Sequence, residues 1–166
     1  MKKLLCVCVV LSITSVVIGL RGQGSFNTPG PPPVEWLLTG SLSSAQILAL
    51  NSTPVTVIPA QGAGTVIIID QFSAELVFNS VAYTNTGSLG LRWNNSLSGQ
   101  SLSANCAAAF LTASANDICI ATSSTILGTA STFFVNQPVT FSINSAPTLG
   151  NSPVNYWISY HVLVGF

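Results

Sequence analysis

A chain of 166 residues fits one domain with a short extension, and that length buries a core without help from metals. Hydrophobic residues make up 48% and charged residues only 5%, so the polar surface is built from Ser, Thr, Asn and Gln, and such a near-neutral surface promotes association. The formal charges are Lys2, Lys3, Arg21 and Arg92 against Glu35, Asp70, Glu75 and Asp117, and a chain with so few cations argues against a phosphate-neutralising nucleic-acid surface.

Lys2-Lys3, an apolar run from Leu4 to Leu20 and the small residues Gly22 and Gly24 give residues 1–24 the layout of a secretory signal. An uncleaved membrane anchor is the competing reading of the same residues, because the run sits at the short limit of a membrane span. Cys6 and Cys8 within it read as small apolar fillers. Residues 25–34 form a Pro/Gly-rich linker, since Pro31 to Pro33 favour extended geometry and cannot continue a helix.

Residues 35–166 are expected to form a single all-β domain, a jelly-roll-like β-sandwich with one short helical turn. Glu35 to Leu38 predicts a first strand, and Ser43-Ser44-Ala45-Gln46 has the spacing of a capping box opening a helical turn through Leu50. Val55 and Val57, then Val66 to Ile69, supply β-branched strand positions on either side of Gly62 and Gly64, which predicts a hairpin. Ala74 to Phe78 and Leu89 to Trp93 are the next strands. Val139, Phe141 and Ile143 alternate with Thr140, Ser142 and Asn144, the pattern of a strand with one buried face. In the last strand Tyr156, Ile158, Tyr160, Val162 and Val164 oppose Trp157, Ser159, His161 and Leu163, and apolar residues on both faces predict a central strand or one covered by a neighbouring subunit. Short strands divided by turn signals at Thr86-Gly87, Ser98-Gly99, Leu127-Gly128 and Gly150-Asn151 predict a sandwich or barrel.

Few residues invite a chemical role. Cys106 and Cys119 either pair as a disulfide, worth roughly 3 kcal/mol by loop entropy, or stay as two buried thiols. One histidine, two distant thiols and no close carboxylate pair do not make a metal site, and no cofactor is expected. His161 lacks a positioned nucleophile such as a G-x-S-x-G elbow and reads as structural, so the chain is not expected to be an enzyme. Gln61 to Gly64 lacks the Lys-Ser/Thr ending of a phosphate loop. The aromatic residues Trp36, Tyr83, Trp93, Tyr156, Trp157 and Tyr160 suit either a sugar-stacking platform or, more commonly in a small sandwich, core and interface positions. Trp93, Trp157 and Tyr160 are the expected interface anchors.

The pattern Leu50, Thr53-Pro54, Ile58-Pro59-Ala60, Gly62-Ala63-Gly64 and Ala82-Tyr83-Thr84, with looser agreement in Asn136 to Val139 and Tyr160 to Val164, resembles small bacteriophage virion proteins of the β-sandwich type. The resemblance implies a capsid decoration or cement protein, or a tail or fibre accessory. Such a protein would be a homotrimer contacting a major capsid or tail protein, with a host-surface glycan as a further partner and the virion as its location. The signal-like head departs from that pattern. The alternative is a secreted or surface-anchored β-sandwich, an extracellular filament subunit or carbohydrate-binding adhesin, for which the head would be a true signal and Cys106 to Cys119 a disulfide, and membrane contact through residues 1–24 stays open.

Overall fold

The computed structural model describes residues 34–93, 101–122 and 134–165, with the side chains of 101–103 excepted. The signal-like segment and all of the linker before Val34 lie outside the described residues. Eight strands and two short helices follow one another as β1 (Trp36–Leu42), α1 (Ser44–Ala49), β2 (Val55–Ile58), β3 (Thr65–Leu76), β4 (Leu89–Trp93), β5 (Ser101–Cys106), α2 (Ala108–Thr112), β6 (Asp117–Thr122), β7 (Val139–Ile143) and β8 (Val154–Val164).

They form two four-stranded antiparallel sheets, sheet I in the order β1-β8-β3-β6 and sheet II in the order β2-β7-β4-β5. Every connection but one crosses between the sheets, and only β4 to β5 stays within a sheet. Pairing first with last (β1 with β8, β2 with β7, β3 with β6, β4 with β5) and wrapping that long ribbon around a core produces this order. It is the topology of an eight-stranded jelly roll, a β-sandwich as the strand pattern predicts.

The core lies between the sheets, where Phe72, Phe141 and Tyr156 pack in sequence with ring centroids 5.5 and 4.9 Å apart. β8 is a central strand, paired along its length with β3 and, over Val154 to Tyr160, with β1. Its two apolar faces thus have the first of the two expected causes. α1 begins with the expected reciprocal cap: Gln46 N–H donates to Ser43 Oγ at 3.3 Å and Ser43 N–H donates to Gln46 Oε1 at 2.9 Å. Ile47 is thereby turned into the core.

Four expectations need correction. Gly62 and Gly64 do not close a hairpin, because β2 pairs with β7 in sheet II while β3 pairs with β6 and β8 in sheet I. The glycines, at φ 109° and 72°, instead turn the chain from one sheet to the other, and Gly62 N–H donates to Asn136 Oδ1 at 3.0 Å. Val66 to Ile69 and Ala74 to Phe78 are not separate strands. A bulge at Asp70, between Ile69 and Gln71, shifts the inward-facing set from Ile67 and Ile69 to Phe72, Ala74 and Leu76, so one twelve-residue strand looks like two when read for strict alternation.

β7 is buried at all five positions, Thr140 and Ser142 included, instead of on one face. The single helical turn is joined by a second, α2, which buries Phe110 and Leu111 but starts at Ala107 without a side-chain cap, so no polar signal precedes it.

One end of the sandwich is fastened by neutral groups. Between β3 and β4 the chain meets the β7–β8 connection through paired Thr84 and Thr148 backbones at 2.9 and 2.8 Å, and Asn151 Oδ1 accepts from Ser80 and Val81 N–H. Asn79 N–H donates to Ser152 Oγ at 3.1 Å. Tyr83, 1% exposed, donates its hydroxyl to the Ser152 carbonyl at 2.6 Å.

Burial pushes the Tyr83 hydroxyl up to about 12, well above the ordinary phenol value near 10. Because the unfolded chain then loses this proton first, stability is complete below about pH 10 and falls by up to about 1.4 kcal/mol per pH unit from there to about pH 12. Tyr83→Phe is expected to remove that part of the alkaline loss. The same substitution should cost about 1–3 kcal/mol at neutral pH by leaving the Ser152 carbonyl unpaired. Urea unfolding of both proteins at pH 7 and pH 11 checks both numbers, and equal alkaline slopes would contradict the assignment.

Candidate interaction surface

Eleven large apolar side chains are exposed among the described residues, and seven of them belong to sheet I: Trp36, Leu37, Ile118, Ile120, Trp157, Leu163 and Val164. None of these eleven lies on a strand of sheet II. The cause is which residues of its two edge strands face outward. A sheet with one solvent face ordinarily alternates apolar inward and polar outward, but β6 inverts the rule, turning Cys119 and Ala121 inward and Ile118 and Ile120 outward at 68% and 67% exposure. On the opposite edge, β1 turns Leu37 outward at 69%.

The register aligns these residues in rows across the sheet. Leu37 continues through Ser159 and Gln71 to Thr122, Thr39 through Trp157 and Ser73 to Ile120, and Ser41 through Asn155 and Glu75 to Ile118. The margins of this face thus carry Leu37 on one side and Ile118 and Ile120 on the other, together with Thr39, Ser41 and Thr122, while Ser159, Gln71, Ser73, Asn155 and Glu75 occupy most of the middle. Glu75 accepts a hydrogen bond from Asn155 Nδ2 at 3.2 Å. A depression of about 140 Å³ lies beside Trp157, lined by Leu37, Gln71, Ser73 and Ser159.

The three expected anchors separate. Trp157 stands on this outer face, 41% exposed. Tyr160 is half-buried, opposite Trp36 on β1 and Ile69 on β3, and packs against the core. Trp93 is corrected: it is 2% exposed, donates Nε1–H to the Ile67 carbonyl at 3.1 Å and packs its ring 4.3 Å from Phe134. A side chain so enclosed has no surface to offer a partner.

His161 Nδ1 lies 2.9 Å from Asp70 Oδ2, with the carboxylate supplied by the β3 bulge. Both groups are partly exposed, which makes this a surface pair of small energetic weight. Among the described residues no group of three or more His, Cys, Asp or Glu side chains is placed to hold a metal ion, and no helix is long and apolar enough to cross a membrane.

Cys106 and Cys119 are joined as a disulfide with Cα atoms 5.7 Å apart, which links β5 of sheet II to β6 of sheet I. Closing a loop of thirteen residues removes unfolded-state entropy worth about 3 kcal/mol. Replacing both cysteines by serine should lower the unfolding free energy by about that amount, and reductant should then have no further effect. Urea titrations with and without reductant measure it; an unchanged midpoint in the double variant would show that the link contributes nothing.

No protein-family profile and no curated protein matches the chain. Among solved structures it is similar to one titled as the cryo-EM structure of mud crab dicistrovirus, at 13% identity over 98% of this chain and 81% of that one, with a TM-score of 0.32. A superposition this loose carries no conclusion about ancestry or role.

Proposed function

We propose that the chain is a non-enzymatic structural subunit of a virus particle. It assembles with copies of itself, three being the expected number, and sits against a capsid or tail protein as decoration, cement or fibre. The supporting observation is an eight-stranded jelly roll, nearly free of charge, whose exposed large apolar side chains concentrate on one sheet. Two-sheet rolls of this kind build viral capsid domains and lectins, so the step from fold to role is one of analogy. An apolar, weakly charged surface adds a physical reason for assembly, since burying it is favourable at roughly 25 cal/mol per Å². Contact energy would be distributed over the surface, with no residue acting as a reactive group.

A second reading is supported by the Cys106 to Cys119 disulfide, which suits an oxidising compartment and hence a secreted or surface-anchored β-sandwich. In that setting Trp157, with the amide of Gln71 and the hydroxyls of Ser73 and Ser159 around it, offers the stacking face and neutral hydrogen-bonding groups that a glycan needs. Mass spectrometry on gradient-purified particles and on the secreted fraction of the same culture separates the two. Stoichiometric recovery in particles supports the virion subunit. Recovery only in the envelope or secreted fraction, cleaved near Gly24, would discard it in favour of the exported protein.

A further inference from the structure

Sheets I and II treat their edges differently. The edges of sheet II are blunted: β2 has four residues and shifts register against β7 between Thr56 and Ile58, and β5 shifts against β4 between Gly90 and Arg92. Bulges and shortness of this kind prevent edge strands from recruiting other chains. The edges of sheet I have neither protection. β1 pairs with β8 over seven consecutive residues and β6 with β3 over six, both without a register shift. β1 contains no charge or proline, and in β6 only the first residue, Asp117, is charged. Among the described residues neither outer edge has a backbone partner.

We infer that sheet I of one copy continues into sheet I of the next, β6 pairing with β1 of a second copy of this chain. The inference rests on the assembling-subunit reading and names its contact. Three antiparallel steps separate β1 from β6, so the two edges run in opposite directions. A second copy translated along the sheet therefore brings its β1 beside β6 in antiparallel order without any rearrangement.

In the register that extends the existing rows, Ile118 lies beside Ser41 of the next copy, Ile120 beside Thr39 and Thr122 beside Leu37. The outward faces thus match. Margins that are about 14 Å apart in one copy, at three strand spacings, become adjacent between copies. Ile118 and Ile120 then lie beside Ser41 and Thr39 of the next molecule, with Leu37 on the diagonal from Ile120, so the exposed apolar side chains of the two margins come together only in the assembly. Charge does not oppose it, because Asp117 at the start of β6 and Glu35 before β1 fall at opposite ends of the joined strands. The contact is head-to-tail, giving a ring if the rotation per copy closes and a filament if it does not.

The test uses the full chain, with mass measured by light scattering and sedimentation across a concentration series. Leu37→Lys and Ile120→Glu each place a charge on one exposed margin, and Val81→Lys does so on an exposed position away from sheet I. Each margin variant should raise the concentration needed for association about tenfold or more, and an equimolar mixture of the two should recover it, because each joint of the alternating assembly is either unaltered or sets Lys diagonally across from Glu. Val81→Lys should associate like the parent. Circular dichroism and an intact Cys106 to Cys119 link establish that every variant is folded.

Association unchanged in both margin variants, or unrecovered in the mixture, overturns the edge pairing and leaves the structural role standing. A parent protein that never self-associates and is absent from purified particles overturns both.

Discussion

Ile143→Asp is expected to leave no folded protein at neutral pH. Ile143 is fully buried on β7, opposite Leu89 of β4, in a strand whose five residues are all buried. The substitution removes apolar burial worth about 2–5 kcal/mol and puts a carboxylate where water does not reach it. An unpaired buried charge costs several kcal/mol more, even after relaxation. The two terms together are as large as the net stability of many domains, roughly 5–15 kcal/mol. Ile143→Val keeps the shape without the charge and should lose only about 0.5–1.5 kcal/mol. Soluble yield and a thermal melt distinguish them, and a cooperative melt for Ile143→Asp near the parent temperature would mean that β7 is not the closed strand described above.

Gly150→Val is expected to be nearly as damaging, for a geometric reason. A Cβ at Gly150 would lie 2.2 Å from Cδ1 of Tyr83, and the backbone there has φ of 87°, where a β-branched residue is strained. The ring cannot step aside, because it is 1% exposed and its hydroxyl is held by the Ser152 carbonyl. Left-handed backbone costs about 1–2 kcal/mol and overpacking about 1–3 kcal/mol, so a loss of about 2–5 kcal/mol follows. The clash makes a further requirement. Tyr83→Ala should soften the effect of Gly150→Ala, so that the two losses add to less than their sum in a double-mutant cycle. Strict additivity would show that the glycine is needed for its backbone angle alone.

Local chemistry made part of this architecture readable. Ser43 and Gln46 announce α1 because a capping box is complete within four residues. The two-sided apolar pattern of Tyr156 to Leu163 allows a central strand or one covered by a neighbour, and β8 is central in its sheet while Trp157 remains on the solvent face. What the chain does not announce is which sheet a strand joins. Gly62 and Gly64 turn the chain whether the next strand pairs with the last or leaves it, and long-range partners such as Phe141 for Val55 decide the outcome.

The candidate surface was hidden for a related reason. Ile118 and Ile120 look like core residues, and only the inward placement of Cys119 and Ala121 turns them to solvent. Trp93 misled in the opposite direction, since a large aromatic suits an interface and a core equally until Phe134 and the Ile67 carbonyl are seen around it.

The last strand of the chain is inserted between β1 and β3, and this order has a cost in time. On the ribosome, β1 and β3 are made long before the strand that joins them, so sheet I consists of separated margins until Val154 to Val164 emerges. Nearly all of its ladder spans large sequence distances, which places the molecule among slow folders. Newly made chains would therefore wait, with the apolar side of β3 open to chaperones or to misassembly, until β8 is available to join the sheet. Removal of β8 alone would divide the sheet instead of trimming its edge.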